Sequence, residues 1–161
     1  NCRNGSSFET ACSDLFRSYT IRKDDIRMCL EIEEIFLGMD TAVPLGIIIT
    51  ELVSNSLKHA FPQGRKGEIR IKLRRAEENR ENKSISNSTN IIGVKSSVEK
   101  SSQYSLVVSD KGLGFPENLD FRNTGSLYLQ LVNILVEQLE GTIELQKGAE
   151  TTFKILFEES D

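Results

Sequence analysis

The order of elements legible in this chain predicts an α/β domain in which a mixed sheet carries helices on one face. Three observations lead there. Apolar residues recur at helical spacing in three segments and at every second position in several others. The resulting series of helix, strand, helix, strand, strand, helix, strand, strand lacks the strict β-α-β alternation of a doubly wound fold. Finally, 161 residues of which 38% are hydrophobic suffice to bury one core, so a single domain over 1–161 is expected.

Taken in order, Phe8, Ala11, Leu15, Phe16 and Tyr19 mark a short amphipathic helix over 8–19. Ile26, Met28, Leu30 and Ile32 then alternate with Arg27, Cys29, Glu31 and Glu33, the period-two pattern of a half-buried strand. After a turn around Gly38 and Asp40, Pro44 fits the first turn of a helix, where its missing N–H costs nothing. That helix is expected over 45–60 and is stopped by Phe61-Pro62-Gln63-Gly64. Strands follow at 68–74, with Ile69, Ile71 and Leu73 on one face, and at 104–109. Between them the polar stretch 75–103, rich in Ser, Asn, Glu and Lys, reads as a disordered insertion. A helix over 127–139 ended by Gly141, and strands at 142–146 and 151–157 joined by a turn at Gly148, complete the chain.

Composition narrows the function. A net charge of −4 and a pI near 5.2 leave no broad basic face, so nucleic acid is not expected as a partner. Cys2, Cys12 and Cys29 form no C-x-x-C pair, and one histidine cannot complete a Cys/His zinc cluster. Scattered thiols in odd number suit a reducing compartment. No apolar run approaches the roughly 20 residues that span a bilayer, and the start lacks a signal-peptide layout. A cytoplasmic domain is expected. It opens on Asn1 rather than Met, so it reads as a piece of a longer protein whose upstream segments are free to tether it to a membrane.

Chemistry concentrates in three places. At about 100° per residue, Glu51, Asn55, Lys58 and His59 fall in one sector of their helix, with Ile49, Val53, Leu57 and Ala60 opposite. A carboxylate, an amide oxygen, an ammonium and an imidazole in one stripe suit Mg²⁺ and polyphosphate. A plain solvated face is the competing reading, and Ile47, Ile48 and Leu52 bordering the stripe weigh against it. The strand Leu106-Val107-Val108-Ser109 runs into Asp110-Lys111-Gly112-Leu113-Gly114-Phe115-Pro116. It reads either as a simple turn or as a strand-end carboxylate that accepts from an adenine amino group, with Gly112 and Gly114 letting base and ribose approach the backbone. Thr124-Gly125-Ser126-Leu127 precedes a helix, where capping hydroxyls and unpaired N–H groups favour an anion, although capping alone also accounts for them. Neither the P-loop motif nor G-x-S-x-G occurs.

In combination these segments resemble the ATP-binding catalytic domain of sensor histidine kinases, within the superfamily shared with gyrase, MutL and heat-shock chaperones. Glu51-Leu-Val-Ser-Asn55-Ser-Leu-Lys58-His59-Ala-Phe-Pro62 is similar to the family's N box, and Asp110-Lys-Gly112-Leu-Gly114-Phe-Pro116 to its first glycine box. Thr124-Gly125-Ser126-Leu127-Tyr128-Leu-Gln-Leu-Val132 is similar to the second, and Thr151-Thr-Phe153 to the closing element. The resemblance implies the two-layer α/β sandwich of the Bergerat ATP-binding fold, with a mixed, mostly antiparallel sheet. It also implies ATP and Mg²⁺ as cofactors. By it, Asn55 and Glu51 serve the metal, with Glu51 also near the γ-phosphate, and Lys58 and His59 touch phosphates. Asp110 reads adenine with help from Thr151, while Gly112, Gly114, Thr124, Gly125, Ser126 and Leu127 shape the pocket and a short lid over 117–123.

The implied reaction sends the γ-phosphoryl group of ATP to a histidine on an upstream dimerisation domain and onward to an aspartate of a response regulator, in a homodimeric full-length sensor. That histidine is not in this chain, whose one histidine belongs to the N box. Two positions depart from the pattern. Tyr128 and Glu150 stand where the family usually has glycine, placing a phenol near the phosphates and a negative charge beside the closing turn. They motivate one alternative, a degenerate module that acts as a signalling or interaction domain; a serine kinase or ATPase of the same superfamily is another.

Overall fold

The structure, a computed structural model, describes residues 26–61, 65–76, 102–114 and 127–159. Its elements are β1 (Ile26–Ile32), α1 (Met39–Asn55) continuing into a π-helical turn (Ser56–Ala60), β2 (Gly67–Arg75), β3 (Ser102–Asp110), α2 (Leu127–Gln138), β4 (Thr142–Gln146) and β5 (Thr151–Glu159). The five strands form one sheet in the order β1-β2-β3-β5-β4. Only β1 and β2, joined through α1, run parallel; the other three ladders are antiparallel. The mixed, mostly antiparallel sheet expected above is thus present, and the expected helix over 8–19 lies outside the described residues.

Alternation along the strands makes the two layers. Ile69, Ile71 and Leu73 of β2, Leu106 and Val108 of β3, and Phe153, Ile155 and Phe157 of β5 are buried on one face. They join Ile48, Ile49, Leu52 and Val53 of α1 and Leu129, Val132 and Val136 of α2 in a single core. Each such aliphatic side chain contributes roughly 1.5–3 kcal/mol when fully buried. Tyr104 and Phe157, directly opposite in the β3–β5 register, stack with ring centroids 5.6 Å apart. The opposite face carries Arg70, paired to Glu68 at 2.6 Å, and Lys72, paired to Glu31 at 2.8 Å. These half-exposed pairs add little stability but keep that face polar.

The first helix differs from expectation at both ends. It begins at Met39, so Pro44 lies inside it rather than in its first turn. Gly38, extended at φ −62° and ψ 159°, caps it, and the Gly38 carbonyl accepts from the Thr41 and Ala42 N–H groups at 3.1 and 2.8 Å. The Gly38 N–H itself donates to the Glu159 carboxylate at the far end of β5. That tertiary anchor starts the helix a turn and a half earlier than its apolar pattern implies. At the other end, the regular helix stops at Asn55 and the last five residues widen into the π turn.

Burial also corrects the face assignment. Ile49, Val53 and Ala60 are buried as expected, but Ile48 and Leu52, assigned to the border of the polar stripe, are core residues. α1 packs on both the sheet and α2, so its buried face is wider and reaches the stripe's edge. The expected insertion is shorter than 75–103, since Arg75 pairs with Tyr104 and both Ser102 and Gln103 lie in β3. Residues 77–101 lie outside the described residues. The second helix closes as a Schellman motif: Glu140 takes the left-handed conformation at φ 50°, with Glu140 N–H to Glu137 and Gly141 N–H to Val136 carbonyl at 3.0 and 2.9 Å. The left-handed residue is therefore Glu140, not Gly141. Among the described residues no helix is long and apolar enough to cross a membrane.

Candidate functional site

The C-terminal end of β3 meets the π turn. Asp110 is two residues beyond Val108 on the core-facing side of β3, and it is only 5% exposed. Its Oδ2 accepts the Ser56 hydroxyl at 2.7 Å and its Oδ1 accepts the Gly112 N–H at 3.2 Å. Burial raises the Asp110 carboxyl above its usual value; the bonds from Ser56 and Gly112 oppose that rise, and the nearby charge of Glu150 adds to it. An ionised carboxylate offers about four acceptor positions. Asp110 thus keeps capacity for a further donor.

The glycine turn that follows is locked to the helix end. Leu113 N–H donates to the Ala60 carbonyl at 2.9 Å and Lys111 N–H to the Glu68 carbonyl at 3.0 Å. A Cβ at position 112 would stand 2.3 Å from the Ala60 Cβ and 2.6 Å from its carbonyl oxygen, so only glycine lets the turn come this close. Gly114 takes φ 86°, a left-handed conformation that L side chains resist. Thr151, 5% exposed, is the direct partner of Asp110 across the β3–β5 ladder, which sets the two side chains beside each other on one face.

The polar stripe of α1 leads away from this corner. Glu51 and Asn55 are half-buried at the margin of the helix's core face, and Lys58 and His59 are exposed in the π turn. A π turn bonds i to i+5 and advances each residue less than a regular turn does, which sets Lys58 and His59 back from the straight-helix projection. The Lys58 ammonium lies over the Tyr128 ring, 4.6 Å from its centroid. Leu127 is the exposed first residue of α2. Thr124, Gly125 and Ser126 lie outside the described residues, as does the expected lid over 117–123. Glu150, half-exposed, pairs with Lys111 at 3.5 Å, and Lys111 lies equally far from Glu68.

The structure therefore joins Asp110, Gly112, Gly114 and Thr151 into one corner, continuous through Ser56 and Ala60 with the helix that carries Glu51, Asn55, Lys58 and His59. Ser56 is the residue that sequence reasoning missed. Its signal was a polar side chain on the apolar side of a helical projection, next to Asn55. Both departing residues also acquire partners: Tyr128 takes Lys58, and Glu150 takes Lys111.

A two-layer sandwich with this corner is the architecture of a nucleotide-binding domain whose helix and strand end face each other. Residues 40–160 match the family described as histidine kinase-, DNA gyrase B-, and HSP90-like ATPase, and the chain belongs to that family. It is 24% identical to Blue-light-activated histidine kinase 2 of Erythrobacter litoralis over 79% of this chain and 30% of that protein. It is 30% identical to the sensor histidine kinase PdtaS of Mycobacterium tuberculosis over 71% of this chain and 18% of that protein. The chain thus spans less than a third of the length of these curated relatives. Among solved structures, the histidine kinase domain of the Erythrobacter litoralis EL346 blue-light activated histidine kinase shares its fold. The TM-score is 0.71 at 20% identity, covering 93% of this chain and 62% of that one. The mycobacterial sensor histidine kinase MprB gives 0.61 at 16% identity, covering 93% and 94%.

The donor set fits Mg²⁺ held together with a nucleotide. Among the described residues no group of three or more His, Cys, Asp or Glu is assembled. Mg²⁺ is commonly bound by one or two carboxylates plus substrate phosphates and water, and Glu51 with Asn55 one turn later offers one carboxylate and one amide oxygen.

Proposed function

We propose that this chain is the catalytic domain of a sensor histidine kinase, which binds Mg-ATP and donates its γ-phosphoryl group to a histidine on an upstream dimerisation domain. The observation that carries the reading is the buried Ser56 Oγ to Asp110 Oδ2 bond. It makes one site of two motifs that are far apart in sequence. Asp110, already turned toward the helix, accepts from the adenine amino group through its carboxyl oxygens, with Thr151 beside it. Gly112 and Gly114 keep the turn free of side chains where the base and ribose approach. Asn55 and Glu51 would hold Mg²⁺, which would supply positive charge to offset that of the phosphates. Lys58 and His59 draw the phosphates along the stripe, and Thr124, Gly125, Ser126 and Leu127 close the lid side. The protein's share of the work is positioning and charge stabilisation.

In this reading residues 1–161 form one domain with an insertion between β2 and β3. It works in the cytoplasm on its own upstream dimerisation domain within a homodimer, and the phosphoryl group passes on to a response regulator. The names of both relatives favour a histidine acceptor over serine or water. A nucleotide-free interaction module is the second reading, favoured by Glu150 beside Lys111 and its upward push on Asp110. Calorimetric titration with a non-hydrolysable ATP analogue, with and without Mg²⁺, separates them. Saturable Mg²⁺-dependent binding that is lost in Asn55→Ala supports the kinase domain. Absence of binding by the unmodified chain leaves the interaction module.

A further inference from the structure

The Lys58–Tyr128 contact ties the end of the polar stripe to the first turn of α2. An aromatic face attracts an ammonium through its quadrupole, most weakly where water competes. Here water competes, because Tyr128 is 47% exposed and Lys58 is exposed as well. Among the described residues no carboxylate pairs with Lys58, so the ring is the partner the structure gives its charge. A phosphate oxygen is a much stronger partner for an ammonium than a ring face. Lys58, on a flexible stem, is able to exchange one for the other.

We propose that Tyr128 is a positioning residue that sets the chain's discrimination among adenine ligands by parking Lys58 on its ring. A polyphosphate must draw the ammonium off the ring before engaging it. The inference rests on the nucleotide-binding reading above. The cost falls only on ligands whose phosphates reach Lys58, and adenosine, bound through the Asp110 corner, does not bear it. Tyr128 therefore narrows the affinity gap between ATP and unphosphorylated adenosine. An exposed contact of this kind corresponds to about a two- to fivefold change in affinity.

The test is titration of the chain with adenosine and with a non-hydrolysable ATP analogue plus Mg²⁺, using Tyr128→Leu, Tyr128→Phe, Lys58→Met and the Tyr128→Leu/Lys58→Met double variant. Tyr128→Leu is expected to tighten the analogue about two- to fivefold and leave adenosine unchanged. Tyr128→Phe, which retains the ring face, should restore the unmodified affinity. In the Lys58→Met background the leucine should have no effect, an outcome that a merely structural role for Tyr128 does not give. Weaker or unchanged analogue binding in Tyr128→Leu, an equal shift for adenosine, or the same gain without Lys58 overturns the inference while leaving ATP binding intact. Binding by Tyr128→Leu but not by the unmodified chain supports the hold of the ring and removes the proposed function from the native sequence. No binding by either overturns both.

Discussion

At the Asp110 corner the carboxylate is buried and already held by Ser56 and Gly112, whereas along the Glu51–His59 stripe the groups are half-buried or exposed and an aromatic contact holds Lys58. The corner is assembled by folding itself. β3 ends there, the π turn closes on it, and Ser56, Gly112 and Ala60 fix the carboxylate and the turn within hydrogen-bond distance. The stripe relies on long side chains at a helix end, which a ligand must still organise. Selectivity for a base needs fixed donors and acceptors, since a buried polar group left without a partner costs more than a bond gains. Phosphates and a hydrated cation tolerate a mobile, water-accessible partner. Under the proposed function, the contrast assigns rigidity to base recognition and adaptability to the phosphates.

The largest expected effect breaks the corner's recognition. Asp110→Ala should weaken the ATP analogue by about 10- to 100-fold, the value of a buried bond to a charged group. Titration calorimetry measures it, and a change under about threefold would mean that the base is read elsewhere. Next comes the close approach of the turn. Gly112→Ala forces a methyl against the Ala60 side chain and carbonyl and should cost about 1–3 kcal/mol in urea unfolding. Gly148→Ala, at a position with open space, is the control and should stay within about 0.5 kcal/mol.

A third variant uses protonation to probe the same corner. Because burial holds the Asp110 carboxyl above its unfolded value, the native state binds more protons in that window. Its contribution to stability is present at low pH and is lost as pH rises through the raised value. Ser56→Ala removes a bond that opposes the rise, so the carboxyl should titrate still higher and the window should extend upward. The variant's deficit should be small in acid, where Asp110 is protonated in both states, and reach about 1–2 kcal/mol at neutral pH. Urea unfolding across pH checks this, and a deficit independent of pH would show that Ser56 packs without supporting the charge.

Legibility in the sequence follows the same division. The strands and both helices were readable because apolar alternation and helical spacing record burial directly, as in Ile69, Ile71 and Leu73. Asp110 was readable because it ends an apolar strand before glycines. The start of α1 was not, because its anchor is Glu159 from the last strand, a contact that no local pattern contains. Ser56 left only a small polar side chain on the apolar side of the projection as its mark, and only the approach of β3 gives it a partner. Tyr128 was legible as a departure, but its engagement of Lys58 depends on how α1 and α2 pack.

The smallest effect concerns the stripe and sharpens the contrast most. Glu51 is half-buried at the edge of the α1 core face, and its carboxylate lies outside the network that fixes Asp110. Glu51→Gln keeps its shape and removes its charge, so folding should be indifferent, with unfolding stability unchanged to about 0.5 kcal/mol. The affinity gained by the ATP analogue on adding Mg²⁺ should nevertheless fall about two- to fivefold, as expected for losing one water-accessible charge interaction. Adenosine should bind as before, because the proposed function places the base at the Asp110 corner. If Glu51→Gln instead lowered stability as much as Gly112→Ala, the stripe would be part of the folded framework, and the division between a rigid base corner and an adaptable phosphate end would fail.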